Sequence, residues 1–118
     1  MRFFRIQKKE DSKILAQKAG LANGFFSRLK GLLGTKRLPQ DEGMILDPCK
    51  SVHTFFMHYD LDVIFIDESN TIVGCEASLK PNRFSSYYGK ARKAIELPAG
   101  TIEERKIQLG QKLEFQPL

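Results

Sequence analysis

Short runs of β-branched and aromatic residues recur along most of this chain and are separated by turn-forming residues. Alternation of apolar and polar positions over such short runs is typical of half-buried strands. The pattern predicts strands over residues 12–22, 43–46, 51–57, 61–67, 71–78, 93–97 and 112–116. Strands at this frequency predict a mainly β protein closed around one core, either a small barrel or a sandwich-like domain.

One segment has helical spacing instead. Asn23 can cap a helix, and Gly34 suits its C-terminal end. The apolar residues between them fall on one face: Phe25, Phe26, Leu29, Leu32 and Leu33. Pro39 prevents the helix from resuming. We therefore predict one packed α-helix over residues 23–33, which plugs an end of the barrel or covers a sheet edge.

Turn chemistry separates the predicted strands. Asn70 closes the short connection 68–70 and can take a positive φ, which indicates a tight hairpin. Residues 81–89 are polar and aromatic without a clear period, which suits an exposed loop. Residues 98–101 form a turn in which Gly100 supplies a permissive backbone.

Length and composition indicate one domain over residues 1–118. A chain of 118 residues with 42% hydrophobic and 28% charged residues is ordinary for a globular domain. The longest aliphatic and aromatic run, residues 63–66, is too short to cross a membrane. The N-terminus lacks the apolar segment of a secretory signal, so we expect a cytoplasmic protein whose two cysteines are both reduced.

Positive charge is concentrated in the N-terminal third. Residues 1–40 hold ten Lys and Arg against two acids, whereas residues 41–118 hold nine against twelve. Such asymmetry can mark an anionic partner, although a solvated surface is the commoner explanation. The segment 87–93 also mixes aromatic with basic residues, as single-stranded nucleic-acid binders do.

Several blocks in fixed order resemble an uncharacterised family, domain of unknown function 192, also called an ancient conserved region family. The blocks cover residues 28–33, 38–44, 53–57, 61–67, 95–101 and 109–115. The resemblance spans about residues 15–115 and implies a compact, mostly β domain. It implies no established reaction.

The predicted strand 51–57 carries polar residues that a purely structural strand does not need. His53 and Phe55 share one face of an extended strand and Thr54 lies on the other, so His53 and Thr54 cannot both face the core. His53 is a candidate base or ligand contact, or else a partly buried histidine bonded to backbone. Thr54 has the alternative of a residue chosen for its branched side chain.

Cys49 is the candidate nucleophile. An enzyme would need His53 to lower the pKa of the Cys49 thiol, and the sequence shows no third orienting group. His53, His58 and Cys49 with Asp60 or Asp62 fit no standard metal motif, and residues 53 and 58 fall on opposite faces of a regular strand. We predict no metal and no cofactor.

Arg28 and Glu42 have two interpretations. They form an ion pair that holds the helix to the barrel, or Arg28 faces outward and binds an anionic ligand. With these two, the candidate recognition surface is Arg28, Glu42, Cys49, His53, Thr54, Met57 and Lys80.

The sequence thus favours a non-catalytic module that binds a small ligand or a protein partner, with no membrane association. The alternatives are a small enzyme that uses Cys49 and His53, and a single-stranded nucleic-acid binder that uses the basic N-terminal third.

Overall fold

The computed structural model describes residues 2–22, 38–55 and 57–118. Within these ranges the chain forms seven strands and one short helix. In chain order they are β1 (Phe3–Lys8), β2 (Ile14–Ala22), β3 (Glu42–Leu46), β4 (Leu61–Ile66), β5 (Ile72–Leu79), β6 (Lys93–Pro98), α1 (Thr101–Glu104) and β7 (Leu113–Pro117).

The described strands form one sheet in the order β5-β4-β6-β3-β2-β1-β7. β2 and β3 pair in parallel, and the other neighbours are antiparallel. The two edge strands meet at one end, where Thr71 and Lys112 form a bridge and Leu113 N donates to Asn70 O at 2.9 Å. The sheet therefore curls into a half-barrel, which confirms the mainly β, barrel-like prediction.

Both faces of the sheet are covered. In β4, Ile64 and Ile66 pack in one hydrophobic cluster, whereas Val63 and Phe65 pack in a second one on the opposite face. All six residues of β4 are buried. A strand covered on both faces has no polar alternation, and this explains the continuous apolar run at residues 63–66.

Six of the predicted strands are confirmed, with boundaries that differ by up to two residues: 12–22, 43–46, 61–67, 71–78, 93–97 and 112–116. The predicted strand 51–57 is wrong, because residues 51–55 contribute only a single bridge, between His53 and Phe84. The predicted helix 23–33 lies outside the described residues.

The sequence pattern does not predict β1. Its last residue, Lys8, is a lysine that is only 1% exposed, so an inward position carries a charged residue. The Lys8 ammonium reaches Lys106 O at 3.3 Å and Asp11 Oδ2 at 3.2 Å. The aliphatic part of the Lys8 side chain packs in the interior while these partners satisfy its charge. The sequence pattern therefore shows a charged residue at a position that faces the core.

The predicted hairpin between β4 and β5 is confirmed. Asn70 has φ of 62°, and Asp67 Oδ1 accepts hydrogen bonds from Ser69 N at 2.9 Å and Thr71 N at 3.0 Å. Gly100 has φ of 98° and leads into α1, a helix that the sequence pattern does not predict.

A buried carboxylate joins three pieces of backbone at the end of β4 that is farther from this hairpin. Asp62 is fully buried and lies opposite a bulge in β5. Its Oδ1 accepts from Ser78 N at 2.8 Å, while its Oδ2 accepts from Gly100 N at 3.1 Å and Ile102 N at 2.8 Å. Asp62 therefore fixes the β5 bulge and the turn into α1.

Candidate functional site

Two loop segments run antiparallel over the second hydrophobic cluster. Hydrogen bonds that involve backbone groups of both segments join residues 50–54 to residues 82–88, and we call this pair of segments the ribbon. Five of these bonds start from or end at the backbone of residues 50, 52 and 54. They are Tyr88 N to Lys50 O (2.8 Å), Ser85 N to Val52 O (2.9 Å), Val52 N to Ser85 Oγ (2.9 Å), Thr54 N to Arg83 O (2.9 Å) and Asn82 N to Thr54 O (3.0 Å). These bonds hold an irregular backbone in a defined register.

Side chains alternate between the two faces of the ribbon. Val52 and Thr54 are buried, whereas His53 between them is exposed. The Thr54 hydroxyl donates to Lys80 O at 2.5 Å and accepts from Arg83 N at 2.9 Å. Thr54 thus anchors the loop 80–83 from beneath and leaves the outer face to its neighbours.

Three rings meet on the outer face and form what we call the aromatic cluster: His53, Phe55 and Phe84. His53 and Phe55 are stacked, with centroids 5.1 Å apart and an interplanar angle of 28°. Phe84 packs edge-on against Phe55 at 4.9 Å and against His53 at 6.3 Å. Phe84 nevertheless remains 69% exposed. The cluster is an ordered apolar and aromatic surface that is open to solvent.

A half-buried tyrosine, Tyr88, attaches the ribbon to the sheet. The Tyr88 ring stacks on Phe65 with centroids 4.4 Å apart, and its hydroxyl donates to Glu76 Oε2 at 2.5 Å. The same carboxylate oxygen accepts from Ser86 N at 3.2 Å. Gly74 makes room for this ring, because a Cβ at residue 74 would lie 2.7 Å from Tyr88 Cζ. Contacts of Tyr88 and Ser86 with Phe65 and Glu76 therefore attach the ribbon to β4 and β5.

Burial changes the acidity of two groups near β5, Tyr88 against the second hydrophobic cluster and Cys75 against the first. Burial, reinforced by the hydrogen bond to Glu76, raises the pKa of Tyr88 to about 12. Burial, together with the charges of Asp62 and Glu76, raises the pKa of the Cys75 thiol to about 11. A thiol with a raised pKa is poorly nucleophilic near neutral pH, so Cys75 is a structural residue.

Tyr88 is expected to make stability depend on alkaline pH. The folded state holds the Tyr88 proton more tightly than the unfolded state, whose pKa is near 10, so its contribution is complete below pH 10 and is lost as pH rises through 12. The contribution should be about 2 kcal/mol, since one pKa unit corresponds to about 1.4 kcal/mol and partial exposure reduces the effect. Urea unfolding of wild type and Tyr88→Phe measures it.

Tyr88→Phe keeps the ring on Phe65 and removes the titrating hydroxyl. Its free energy of unfolding should decline less steeply than that of wild type between pH 10 and 12. An equal decline in both proteins would show that Tyr88 does not titrate with the fold.

Positive charge gathers on the ribbon and its flanks. Residues 49–60 and 80–92 together hold five Lys and Arg against one acid, whereas the rest of residues 41–118 holds four against eleven. The basic residues are Lys50, Lys80, Arg83, Lys90 and Arg92. Lys80 pairs with Asp60 at 3.4 Å and Arg92 with Asp47 at 2.7 Å. None of the salt bridges among the described residues involves Lys50, Arg83 or Lys90.

Comparison with known proteins now places the chain. The model of the DUF192 family, described as an uncharacterised ancient conserved region, matches residues 6–115. The chain belongs to the DUF192 family. This confirms the resemblance noted in the sequence, and the match begins earlier than residue 15 because β1 is part of the fold.

Relatives of this DUF192 protein have been named but not assigned an activity. A UPF0127 protein of Thermococcus sibiricus is 31% identical over 113 residues, which is 92% of this chain and 72% of the relative. The UPF0127 protein PH1112 of Pyrococcus horikoshii is 33% identical over 100 residues, covering 80% of this chain and 84% of the relative.

Two crystal structures share the fold. A protein of unknown function from Novosphingobium aromaticivorans superposes with a TM-score of 0.79 at 20% identity, over 95% of this chain and 83% of its own. A protein of Sinorhizobium meliloti described as a putative transcription regulator gives a TM-score of 0.78 at 22% identity, over 97% of this chain and 92% of its own. Identities this low support the shared fold alone.

Some of the predicted site residues of this DUF192 protein lie on the surface, and others lie in the interior. His53 and Lys80 are exposed, and the Thr54 hydroxyl bond to Lys80 O links them through the backbone. Thr54 itself is buried. Glu42 is exposed at the start of β3. In the sheet, β6 separates β3 from β4, and β4 is one of the two strands that contact the ribbon. Arg28 lies outside the described residues, so its pairing with Glu42 stays a prediction.

Cys49 and Met57 belong to the interior of the DUF192 fold. Both pack in the second hydrophobic cluster, at 6% and 7% exposure. The Cys49 thiol donates to Ser51 O at 3.1 Å. Both side chains lie in the interior, whereas His53 is exposed on the ribbon, and the inclusion of Cys49 and Met57 in the recognition surface stays a prediction.

Sequence reasoning missed Phe55 and Phe84 as site residues. Phe84 lies in the loop 81–89, which the sequence predicts to be exposed. A large apolar side chain in an exposed loop can indicate a binding surface. Phe55 was assigned to a strand face with His53, and the two rings do lie on one side of the backbone. What the sequence could not supply is the bridge that brings Phe84 beside them.

The described part of the chain yields two further observations. Among its residues, no three His, Cys, Asp or Glu side chains come together as a metal site. It also contains no helix long and apolar enough to cross a membrane.

Proposed function

We propose that this DUF192 protein is a non-catalytic binding module and that the aromatic cluster on the ribbon is its recognition surface. The observation that carries the proposal is the exposure of Phe84, at 69%, within a cluster whose other two rings are fixed in mutual contact. Covering such apolar surface provides affinity, and its fixed geometry reduces the ordering cost of binding.

The backbone beneath the cluster supports this role. Hydrogen bonds set the ribbon register, and Tyr88 locks the ribbon onto β4 and β5. A surface built in this way is organised before a partner arrives. Most pre-organised interfaces change little on binding.

The contacts of Cys49 favour binding over an enzyme that uses Cys49 and His53. The thiol is buried and donates to a backbone carbonyl, while the imidazole stacks on Phe55 at the surface. A cysteine nucleophile needs a base within hydrogen-bonding reach and access to substrate. We propose that the partner is a small ligand or a macromolecule that the rings recognise. We expect this binding to take place in the cytoplasm.

The proposal is tested by an NMR titration of ¹⁵N-labelled protein. The probes are adenosine monophosphate, tryptophan, an acidic twelve-residue peptide, oligothymidylate, and zinc and magnesium chloride. We expect at least one probe to move the backbone amide signals of His53, Phe55 and Phe84 together, because ring currents and contacts change there when the cluster is covered.

Two variants localise the response. Phe84→Ala should abolish it while changing the free energy of unfolding by only about 0.5 kcal/mol, since the side chain is largely exposed. Phe3→Ala is the matched control, because Phe3 is an exposed phenylalanine on β1, and it should respond like wild type. If all probes leave these three amides unmoved, or if they move equally in Phe84→Ala, the proposal is wrong.

A further inference from the structure

We infer that the partner of the aromatic cluster is single-stranded nucleic acid, an inference that rests on the proposed binding role of the ribbon. Three observations point to it: the charge of the ribbon, the position of its cations relative to the rings, and the exposure of the rings. Each is a requirement of single-strand binding, in which bases stack on aromatic side chains and Lys or Arg contacts phosphates.

Charge is the first observation. The segments that carry the rings hold five basic residues and one acid, inside a C-terminal region that is otherwise acidic, with four against eleven. Basic residues that are concentrated in two paired segments attract a polyanion to that part of the molecule, and Lys50, Arg83 and Lys90 contribute most because Lys80 and Arg92 are paired with Asp60 and Asp47. The whole chain has a net charge of +5, but this local segregation, more than the net charge, defines the site.

The second observation is that an exposed cation lies at each end of the ribbon. Lys50 lies at one end of the ribbon, where its ammonium donates to Gly89 O and its carbonyl accepts from Tyr88 N. Arg83 lies at the other end, beside Thr54. The bridge between His53 and Phe84 lies between these two ends. A strand laid along the ribbon would therefore place phosphates near a cation before and after the bases that meet the cluster.

The third observation concerns the bases. His53 and Phe84 project from an exposed ribbon and not from the floor of a deep pocket, so a planar group can approach from solvent. Bases of a duplex are already stacked on one another and offer no free face, whereas unpaired bases can be splayed onto side chains. Stacking is tolerant of sequence because every base has a π-face.

The size of the ribbon limits the complex. Residues 50–54 span at most about 18 Å even when fully extended. This length accommodates only a few nucleotides, with about two phosphates neutralised, so the logarithm of the affinity should fall against the logarithm of the salt concentration with a slope of about −1.4. An acidic peptide would satisfy the same cations but offers no planar group for each ring, and for that reason we favour the nucleic acid.

The experiment is fluorescence anisotropy of the full chain with fluorescein-labelled dT12 and rU12. A dT12·dA12 duplex and an acidic twelve-residue peptide serve as competitors. We expect single strands to bind, the duplex to compete poorly, and the affinity to fall with salt at the slope given above. Phe84→Ala should weaken binding about ten-fold, as expected for the loss of one stacked base.

A pair of charge-matched double variants separates the ribbon from general attraction. Lys50→Gln/Arg83→Gln should weaken binding and bring the salt slope close to zero. Lys9→Gln/Lys112→Gln removes the same charge from an exposed pair at the junction of β1 and β7, which Lys9 N and Lys112 O join at 2.9 Å. It should keep the wild-type slope and most of the affinity.

Several outcomes would overturn the inference. Equal losses in the two double variants would mean non-specific attraction to the whole chain, including its basic N-terminal third. Absence of oligonucleotide binding at low salt would exclude the nucleic acid. If the acidic peptide alone moves the amides of His53 and Phe84, the partner is a protein and the proposed binding role survives. If no probe moves them, the proposed function fails as well.

Discussion

Asp62→Ala is expected to lower the free energy of unfolding by about 4 kcal/mol, because each buried donor left without a partner costs about 1–3 kcal/mol. The substitution orphans three backbone N–H groups, those of Ser78, Gly100 and Ile102. The Asp62 side chain is fully buried, so water cannot replace it without opening the fold. Urea denaturation followed by circular dichroism measures the change.

Two further variants sharpen this prediction. Asp62→Asn keeps one oxygen but turns an amide NH₂ toward a donor, and we expect it to recover only part of the loss. Asp60→Ala is the control, since Asp60 makes an exposed pair with Lys80 and the substitution should cost less than about 1 kcal/mol. A loss of less than about 1 kcal/mol in Asp62→Ala would show that the three donors find other partners.

Gly74→Ala is expected to destabilise the protein by about 3 kcal/mol, in the range of severe overpacking of a core. The new Cβ would overlap the Tyr88 ring, 2.7 Å from its Cζ. The ring must leave Phe65, and its hydroxyl must leave Glu76. Unfolding experiments give the free energy, and the near-ultraviolet circular dichroism of the tyrosine reports whether Tyr88 has left its site.

The double variant Gly74→Ala/Tyr88→Ala tests the cause. Once the ring is absent, the added methyl has space, so the two changes together should cost clearly less than their sum. Gly89→Ala is the matched glycine control, because a Cβ there meets only Tyr87 Cε1 at 3.7 Å. Additive effects of the two changes would show that Gly74 matters for some reason other than Tyr88.

Gly74→Ala also connects stability to binding. Displacement of Tyr88 removes the support of residues 86–88, on which the register of the ribbon depends. Provided that Gly74→Ala remains folded, it should bind the probes more weakly although no residue of the aromatic cluster has changed.

The features of this fold that rest on local chemistry are predictable from the amino-acid sequence. Short runs of β-branched and aromatic residues, either alternating with polar residues or continuously apolar as in β4, predicted six strands, because these residue types favour extended backbone and turn residues bound each run. Asp67 and Asn70 specified their hairpin, because carboxylate bonds to nearby N–H groups and a left-handed residue act within a few positions. The order of the sequence blocks also identified the family.

The composition of the candidate site follows from contacts between distant parts of the chain, which become visible in the three-dimensional structure. Residues 51–57 have the composition of a strand, yet the Thr54 hydroxyl and the backbone around it find partners in the loop 80–85 and form no strand ladder. The aromatic cluster joins positions 53 and 55 to position 84, which no local pattern relates. The burial of Lys8 likewise depends on Asp11 and Lys106. Contacts between residues distant in sequence depend on the packing of the whole chain, and local periodicity carries no information about them.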